Sequence, residues 1–286
     1  MPSAYLPDRG VLRVSGDEAM IWLNNIVTCN LTGLVPGEAR FGALLTPQGK
    51  ILFDFLVFAG TGEAVGFYLE TRRSHVADLA KRLAFYRLRA KVVIEDMASA
   101  PTAGGRLGVV ATWGDGEVPQ SAIGGADPRL AALGHRALLP EHEAREFPVD
   151  NGYEQHRISL GIPEATADFA YGEAFPHETL MDMLHGVDFR KGCYVGQEVV
   201  SRMQHRGTAR TRIVPVEASA LPPPGTEIRA GEKIMGQMGS SAGAQGLAML
   251  RLDRVEEGLA AGTALVAGDS PLALVKPDWW QAMWPA

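Results

Sequence analysis

A chain of 286 residues, 46% apolar and 21% charged, is long enough to bury a substantial core and has the composition of an ordinary globular protein. Its net charge of −6, and the lack of a further Lys/Arg-rich block or base-stacking motif beside the arginines of 190–212, argue against a nucleic-acid partner. Asp54 interrupts the best apolar run, Ile51 to Phe58, far short of a membrane span.

The N-terminus has no basic region followed by an apolar core, so no secretory leader is expected. The two cysteines, Cys29 and Cys193, lie far apart and form no C-x-x-C pair. That pattern points to a reducing compartment rather than a disulfide scaffold, and the expectation is a cytoplasmic protein. Val11–Val14 reads as a strand, and Ser15-Gly16-Asp17-Glu18 has the spacing of a capping box. Trp22, Leu23, Ile26 and Val27 follow at helical spacing, with Cys29 taken as structural. Phe41–Leu45 and Ile51–Phe58 flank the turn Thr46-Pro47-Gln48-Gly49-Lys50 as a hairpin. Val65–Glu70 is a further strand, Ser74–Leu88 a helix, and Val92–Ile94 closes an α+β unit, residues 1–97.

From Ala98 to Pro128 the composition turns to glycine, alanine and proline, and a second α+β subdomain is placed at 98–209. It holds strands at Val109–Ala111 and Arg136–Leu139 and a helix at Asp150–Leu160. Beyond Arg210, six short β-like runs alternate with Pro/Gly turns: Thr211–Val216, Glu227–Arg229, Lys233–Met238, Gly246–Leu250, Ala264–Val266 and Leu272–Val275. They predict a small antiparallel barrel over 210–286. Trp279, Trp280 and Trp284 have no accompanying basic amphipathic helix and are read as packing on the fold.

The most informative stretch is Lys191-Gly192-Cys193-Tyr194-Val195-Gly196-Gln197-Glu198. A cysteine stands between glycines, which let backbone and ligand approach closely. Cations beside a thiol favour the thiolate, the nucleophilic and metal-ligating form. Arg190, Lys191, Arg202, Arg206, Arg210 and Arg212 surround Glu198 as the only acid of the run, a local reversal of sign that suits an anionic ligand or, alternatively, a solvated face. The histidines near this stretch, His177, His185 and His205, have no H-x-x-x-H spacing, and none is assigned to a metal.

This stretch resembles the K-G-C-[FY]-x-G-Q-E signature of the YgfZ-type folate-binding proteins, relatives of the glycine-cleavage T-protein, and matches it from Lys191 to Glu198 with the trailing Arg202. The resemblance implies a T-protein-like α+β folate-binding fold of mixed and antiparallel sheets with helices, followed by a C-terminal antiparallel β-barrel. It also implies tetrahydrofolate, or a one-carbon derivative, as cofactor, and iron–sulfur client or assembly proteins as partners. Cys193 would be a transient iron or cluster ligand, or a thiol reacting with a folate-borne one-carbon unit, on a loop formed with Lys191, Gly192, Gly196, Gln197 and Glu198.

The resemblance extends to Tyr171-Gly172 and, seven residues after that tyrosine, Glu178, which in the relatives line the folate pocket. A carboxylate can accept paired donors from a pterin's amino-pyrimidinone edge while a tyrosine offers an aromatic face; the alternative for Glu178 is a cap on a helix through Thr179 and Met183. Asp54 falls where the T-protein carries its catalytic aspartate. Set among Phe53, Phe55 and Leu56, it would either be desolvated for proton transfer near N5 or N10, or point outward from an alternating strand. Arg202 and Arg206 are candidates for the folate's glutamate tail. Three functions follow: a folate-dependent factor for iron–sulfur cluster assembly or repair, an aminomethyltransferase, or an interaction scaffold with a vestigial pocket.

Overall fold

The computed structural model describes residues 2–62, 65–99, 105–118, 123–207, 209–282 and 284. Parts of the Gly/Ala/Pro connection, 100–104 and 119–122, therefore lie outside the described residues. The chain forms two compact units: residues 1–48, 52–153 and 184–197 make the first, and residues 49–51, 154–183 and 198–286 the second.

The first unit contains two antiparallel sheets. In one, the order is β3 (Ala39–Leu45), β4 (Ile51–Gly60), β5 (Gly66–Arg72), β2 (Arg9–Ser15) and β6 (Val93–Asp96); in the other it is β1 (Ser3–Tyr5), β7 (Leu107–Thr112), β9 (His135–Pro140) and β8 (Ile123–Ala126). Phe53, Phe55, Leu56, Val57 and Phe58 of β4 are all buried, so this strand is an apolar run rather than an alternating one, as expected for a strand covered on both faces. Helix α1 (Ala19–Asn24) follows β2, and α2 (Val76–Arg87) buries Val76, Leu79 and Leu83 at helical spacing. The predicted order from Val11 to Ile94 holds throughout.

The Ser15–Glu18 capping box does not form. Glu18 itself is the cap residue of α1 and makes no side-chain cap bond; its carboxylate accepts the Lys91 N–H at 2.6 Å. Gly16 stands at φ +115, and a Cβ there would lie 2.3 Å from the Lys91 carbonyl, so this turn is shaped by close approach of residue 91. The two sheets meet through buried charges: Arg9 Nε reaches Glu70 at 2.7 Å, and Arg136 Nε lies 3.7 Å from both Glu70 and Asp127. Arg129 grips Asp127 with two bonds, and Arg136 stacks over the Tyr153 ring at 4.5 Å. Burial raises the Asp127 carboxyl, but the Arg129 fork outweighs it and holds it below the ordinary range.

The second unit contains the barrel, closed in the order β10 (Thr211–Glu217), β13 (Gln245–Arg251), β12 (Lys233–Ala242), β11 (Glu227–Ala230), β14 (Leu265–Ala267) and β15 (Ser270–Leu274). All six predicted runs are strands. Three further helices, α3 (Glu141–Ala144) in the first unit, α5 (Gln197–Arg206) and α6 (Leu252–Ala260), were not expected from the sequence pattern; α4 (Tyr153–Ser159) lies inside the predicted Asp150–Leu160. Trp280 is buried, Trp284 packs edge-on against it at 5.0 Å, and Trp279 donates to the Leu160 carbonyl at 2.9 Å, so the terminal tryptophans do pack on the fold. Among the described residues no helix is long and apolar enough to cross a membrane.

Arg157 holds this unit together. Fully buried, it donates to Asp168 at 2.9 Å, to the Ile162 carbonyl at 3.0 Å and to Ser240 of β12 at 3.0 Å, and lies 3.3 Å from Glu164. Asp168 in turn accepts the Ser240 N–H and hydroxyl at 2.8 and 2.6 Å. Removing the guanidinium would strand two buried carboxylates, at a cost of about 3–5 kcal/mol. Arg157→Leu is expected to lower the urea midpoint of the second unit accordingly; an unchanged midpoint would contradict the role given to Arg157.

Candidate functional site

The signature begins on a loop of the first unit whose course is set by two side chains. Asp188 Oδ1 accepts the backbone N–H groups of Arg190 and Lys191 at 2.7 and 3.1 Å, and the Asp188 N–H donates to the Thr28 carbonyl at 3.0 Å. Buried Thr28 donates its hydroxyl to the Gly186 carbonyl at 2.6 Å and accepts the Ala43 N–H of β3 at 2.8 Å. The start of the loop is thus fastened to the five-stranded sheet.

Lys191 completes the fastening. Its ammonium donates to the carbonyls of Asn24, Val27 and Cys29 at 2.6, 2.7 and 2.7 Å, which uses all three of its N–H groups. Burial pushes its pKa below the ordinary lysine value, opposed by nearby Asp188. The ammonium also lies 5.6 Å from the centre of the buried Tyr194 ring. The cation that the sequence sets beside the thiol therefore binds the end of α1 and the backbone that follows it. Cys193 itself is exposed, with exposed Gly192 before it.

Gly196 has φ +81, a conformation that favours glycine, and the chain then enters α5 at Gln197. Cys29 is a different kind of cysteine. It is buried against Gly42, where a Cβ would meet its sulfur at 2.5 Å, and burial pushes its thiol up to about 12. Asp54 is buried in β4 of this same unit, and its carbonyl accepts the Thr71 hydroxyl at 2.8 Å. Its side chain does not point to solvent.

The second unit carries Tyr171, Glu178, Glu198, Arg202 and Arg206. The 171–178 segment lies against residues 49–51: the Gly172 N–H donates to the Ile51 carbonyl at 2.7 Å, and the Ile51 N–H to the Ala174 carbonyl at 2.9 Å. Lys50 sits 5.8 Å from the Phe175 ring centre. Half-buried Glu178 caps no helix. It folds back on its own turn, where Oε2 accepts the Phe175 N–H at 2.8 Å. Burial raises its pKa, opposed by that N–H and by Lys50. Tyr171 is half-buried, its ring edge-on to Phe169 at 6.3 Å.

The basic run is less open than its sequence implies. Arg202 pairs with Glu198 at 2.7 Å along the exposed face of α5, and buried Arg212 forms a two-bond pair with Asp182 at 2.9 and 2.8 Å. Arg210 lies 3.8 Å from Asp253. Arg190 and Arg206 are exposed and make no ion pair among the described residues. His177 is buried; burial lowers its pKa, and Nε2 lies 2.9 Å from Gln204 Oε1. Among the described residues no cluster of three or more His, Cys, Asp or Glu could hold a metal ion. Asp188, Thr28 and Lys50 were not found by sequence reasoning; only the nearness of Asp188 to the signature offered any signal.

Comparison with known proteins adds a family. Residues 210–282 match the family model of the C-terminal β-barrel domain of CAF17. The chain is 32% identical to the human mitochondrial iron–sulfur cluster assembly factor IBA57, over 96% of this chain and 84% of that protein. It is 30% identical to the mouse protein of the same name, with the same coverage, and 31% identical to the Mycosarcoma maydis homologue, over 77% of this chain and 59% of that one. Among solved structures, the glycine cleavage system aminomethyltransferase T from Bartonella henselae superposes with a TM-score of 0.73 at 13% identity, covering 100% of this chain and 88% of that one. That likeness shows the T-protein fold expected from the signature.

Two expectations change. The relatives bear the name IBA57 rather than YgfZ, so the family is stated as theirs. The cytoplasmic assignment is overturned, because these relatives are named as mitochondrial. The cysteine pattern behind it points only to a reducing compartment, and the search for an apolar core after a basic start detects secretory leaders, whereas mitochondrial leaders are amphipathic and rich in Arg and Ser.

Lys191→Met would leave three carbonyls without their donor, at a cost of about 1–3 kcal/mol. The expected outcome is a loosened loop, read as faster tryptic cleavage after Arg190. Lys191→Arg should not restore protection, since a planar guanidinium cannot reproduce the three-way geometry. Cleavage at the parent rate in Lys191→Met would refute the clamp.

Proposed function

This chain belongs to the family of the iron–sulfur cluster assembly factor IBA57, and we propose that it supports assembly or repair of iron–sulfur clusters in client enzymes with the help of bound tetrahydrofolate or a one-carbon derivative. The observation that carries the folate half of this reading is Glu178. One of its oxygens is pinned by the Phe175 N–H, while the other has no hydrogen-bond partner among the described residues. A carboxylate oriented in this way fits the paired donors of a pterin, and Tyr171 supplies an aromatic face in the same segment. Arg206, exposed and without an ion pair among the described residues, suits the carboxylates of the glutamate tail. Folate, when bound, supplies a carrier for one-carbon units.

The cluster half rests on the family and on Cys193. An exposed thiol on a braced loop can ligate iron or attack an electrophile without the loop having to reorganise. One cysteine cannot complete a cluster site, so the cluster is cargo shared with a partner protein that supplies the remaining ligands. A second reading, an aminomethyltransferase like the T-protein, is favoured by the burial of Asp54 in β4, as suits a proton-transfer group. Methylene transfer from an aminomethyl-lipoyl carrier to tetrahydrofolate would put that reading first.

Titration of the reduced protein with tetrahydrofolate tests the pocket. Saturable binding is expected, weakened in Glu178→Gln by about 1.5–3 kcal/mol, the worth of hydrogen bonds to a charged acceptor. Because burial raises the Glu178 pKa above its ordinary 4.5 and the ligand needs the carboxylate, affinity should be full at neutral pH and fall as pH drops through a midpoint above 4.5. Glu178→Gln should lose that pH dependence. Parent protein that binds no folate, or a Gln variant that binds equally well, would remove the pterin assignment.

A further inference from the structure

The first unit has a surface that the proposed function does not use. Residues 81–91 read Lys-Arg-Leu-Ala-Phe-Tyr-Arg-Leu-Arg-Ala-Lys, five cations and no acid within a chain of net charge −6. All five cations are exposed; Lys81 reaches Asp78 at 3.4 Å, and Arg82, Arg87, Arg89 and Lys91 make no ion pair among the described residues. Among them stand two large apolar side chains in water, Phe85 at 73% and Leu88 at 88% exposure. Leu88 ends α2 at φ +47, a conformation uncommon for a branched residue.

Helix α1 adjoins this segment and adds Ile21, 62% exposed. The two are locked together by Trp22 Nε1, which donates to the Tyr86 carbonyl at 3.1 Å, and by the Glu18 carboxylate on the Lys91 N–H. Between them lies a groove of about 340 Å³ lined by Glu18, Ile21, Trp22, Arg89 and Ala90.

We propose that this groove and its basic rim dock a protein partner that presents an apolar side chain from within an acidic segment. Isolated exposed apolar residues are ordinary, but a groove lined by Ile21 and Trp22, next to a segment that exposes Phe85 and Leu88, marks an interaction site. The unpaired arginines define the sign of the partner and would steer its approach. The groove is concave and carries an acid, Glu18, on its wall; both features suit an inserted protein side chain flanked by hydrogen-bonding groups and disfavour a flat anionic lipid surface.

The test uses the full chain and two probes, a synthetic amphipathic helix with leucines on one face and glutamates on the other, and vesicles of phosphatidylcholine and phosphatidylserine. The expected result is saturable peptide binding that weakens with salt and shifts Trp22 fluorescence, without vesicle binding. Arg87→Glu with Arg89→Glu, and separately Leu88→Ser, should each weaken it about tenfold or more, as loss of an interface anchor does. These positions are exposed, so the variants should keep the parent's circular dichroism. No peptide binding by the parent, equal binding by the charge-reversed variant, or a preference for vesicles would overturn the proposal. Folate takes no part in the measurement, so its failure leaves the proposed function standing.

Discussion

One ammonium group fixes the loop that carries the candidate thiol. Lys191 places its three N–H groups on the carbonyls of Asn24, Val27 and Cys29, and so ties the signature loop to the end of α1 and the chain that leaves it. Its partners are more than 160 residues away in sequence. Most of the signature then reads as architecture. Lysine is the clamp, Gly196 provides the left-handed turn into α5, Tyr194 is buried beside the ammonium, and Glu198 pairs with Arg202 along the helix. Cys193 is exposed and takes no part in these contacts, and this division of labour is why the thiol rather than the cations carries the proposed chemistry.

Each unit also has a buried charge network at its centre. In the first, Glu70 and Asp127 share Arg9, Arg129 and Arg136 where the two sheets meet; in the second, Arg157 gathers Asp168 and Glu164 beside β12. Such networks are costly to desolvate and severe to break, so they specify a single arrangement more than they add stability. They leave the candidate side chains on segments whose backbone is already committed, as with the loop after Asp188 and the turn that pins Glu178.

The regular parts of the fold were legible because periodicity reports burial locally. The six barrel strands and the order from Val11 to Ile94 follow from alternation, apolar runs and turn residues. The failures share a cause. β8 reads Ile-Gly-Gly-Ala because Gly124 and Gly125 pass within 2.1 and 2.5 Å, at the Cβ position, of the Arg136 and Gly37 carbonyls, a tertiary constraint that erases any strand pattern. The Ser15–Glu18 box lost to residue 91. At the site, the motif located the loop and the thiol, but a string of residues cannot show that Lys191 spends its charge on distant carbonyls, or that Arg202, Arg210 and Arg212 have acids within reach.

The central claim is that an exposed, braced Cys193 serves iron–sulfur cluster assembly. Its most direct test is complementation of cells that lack their own family member, with the activity of iron–sulfur enzymes as the readout. The account predicts that the parent chain restores those activities and that Cys193→Ala, expressed to the same level and folded, does not. Full restoration by Cys193→Ala would contradict it.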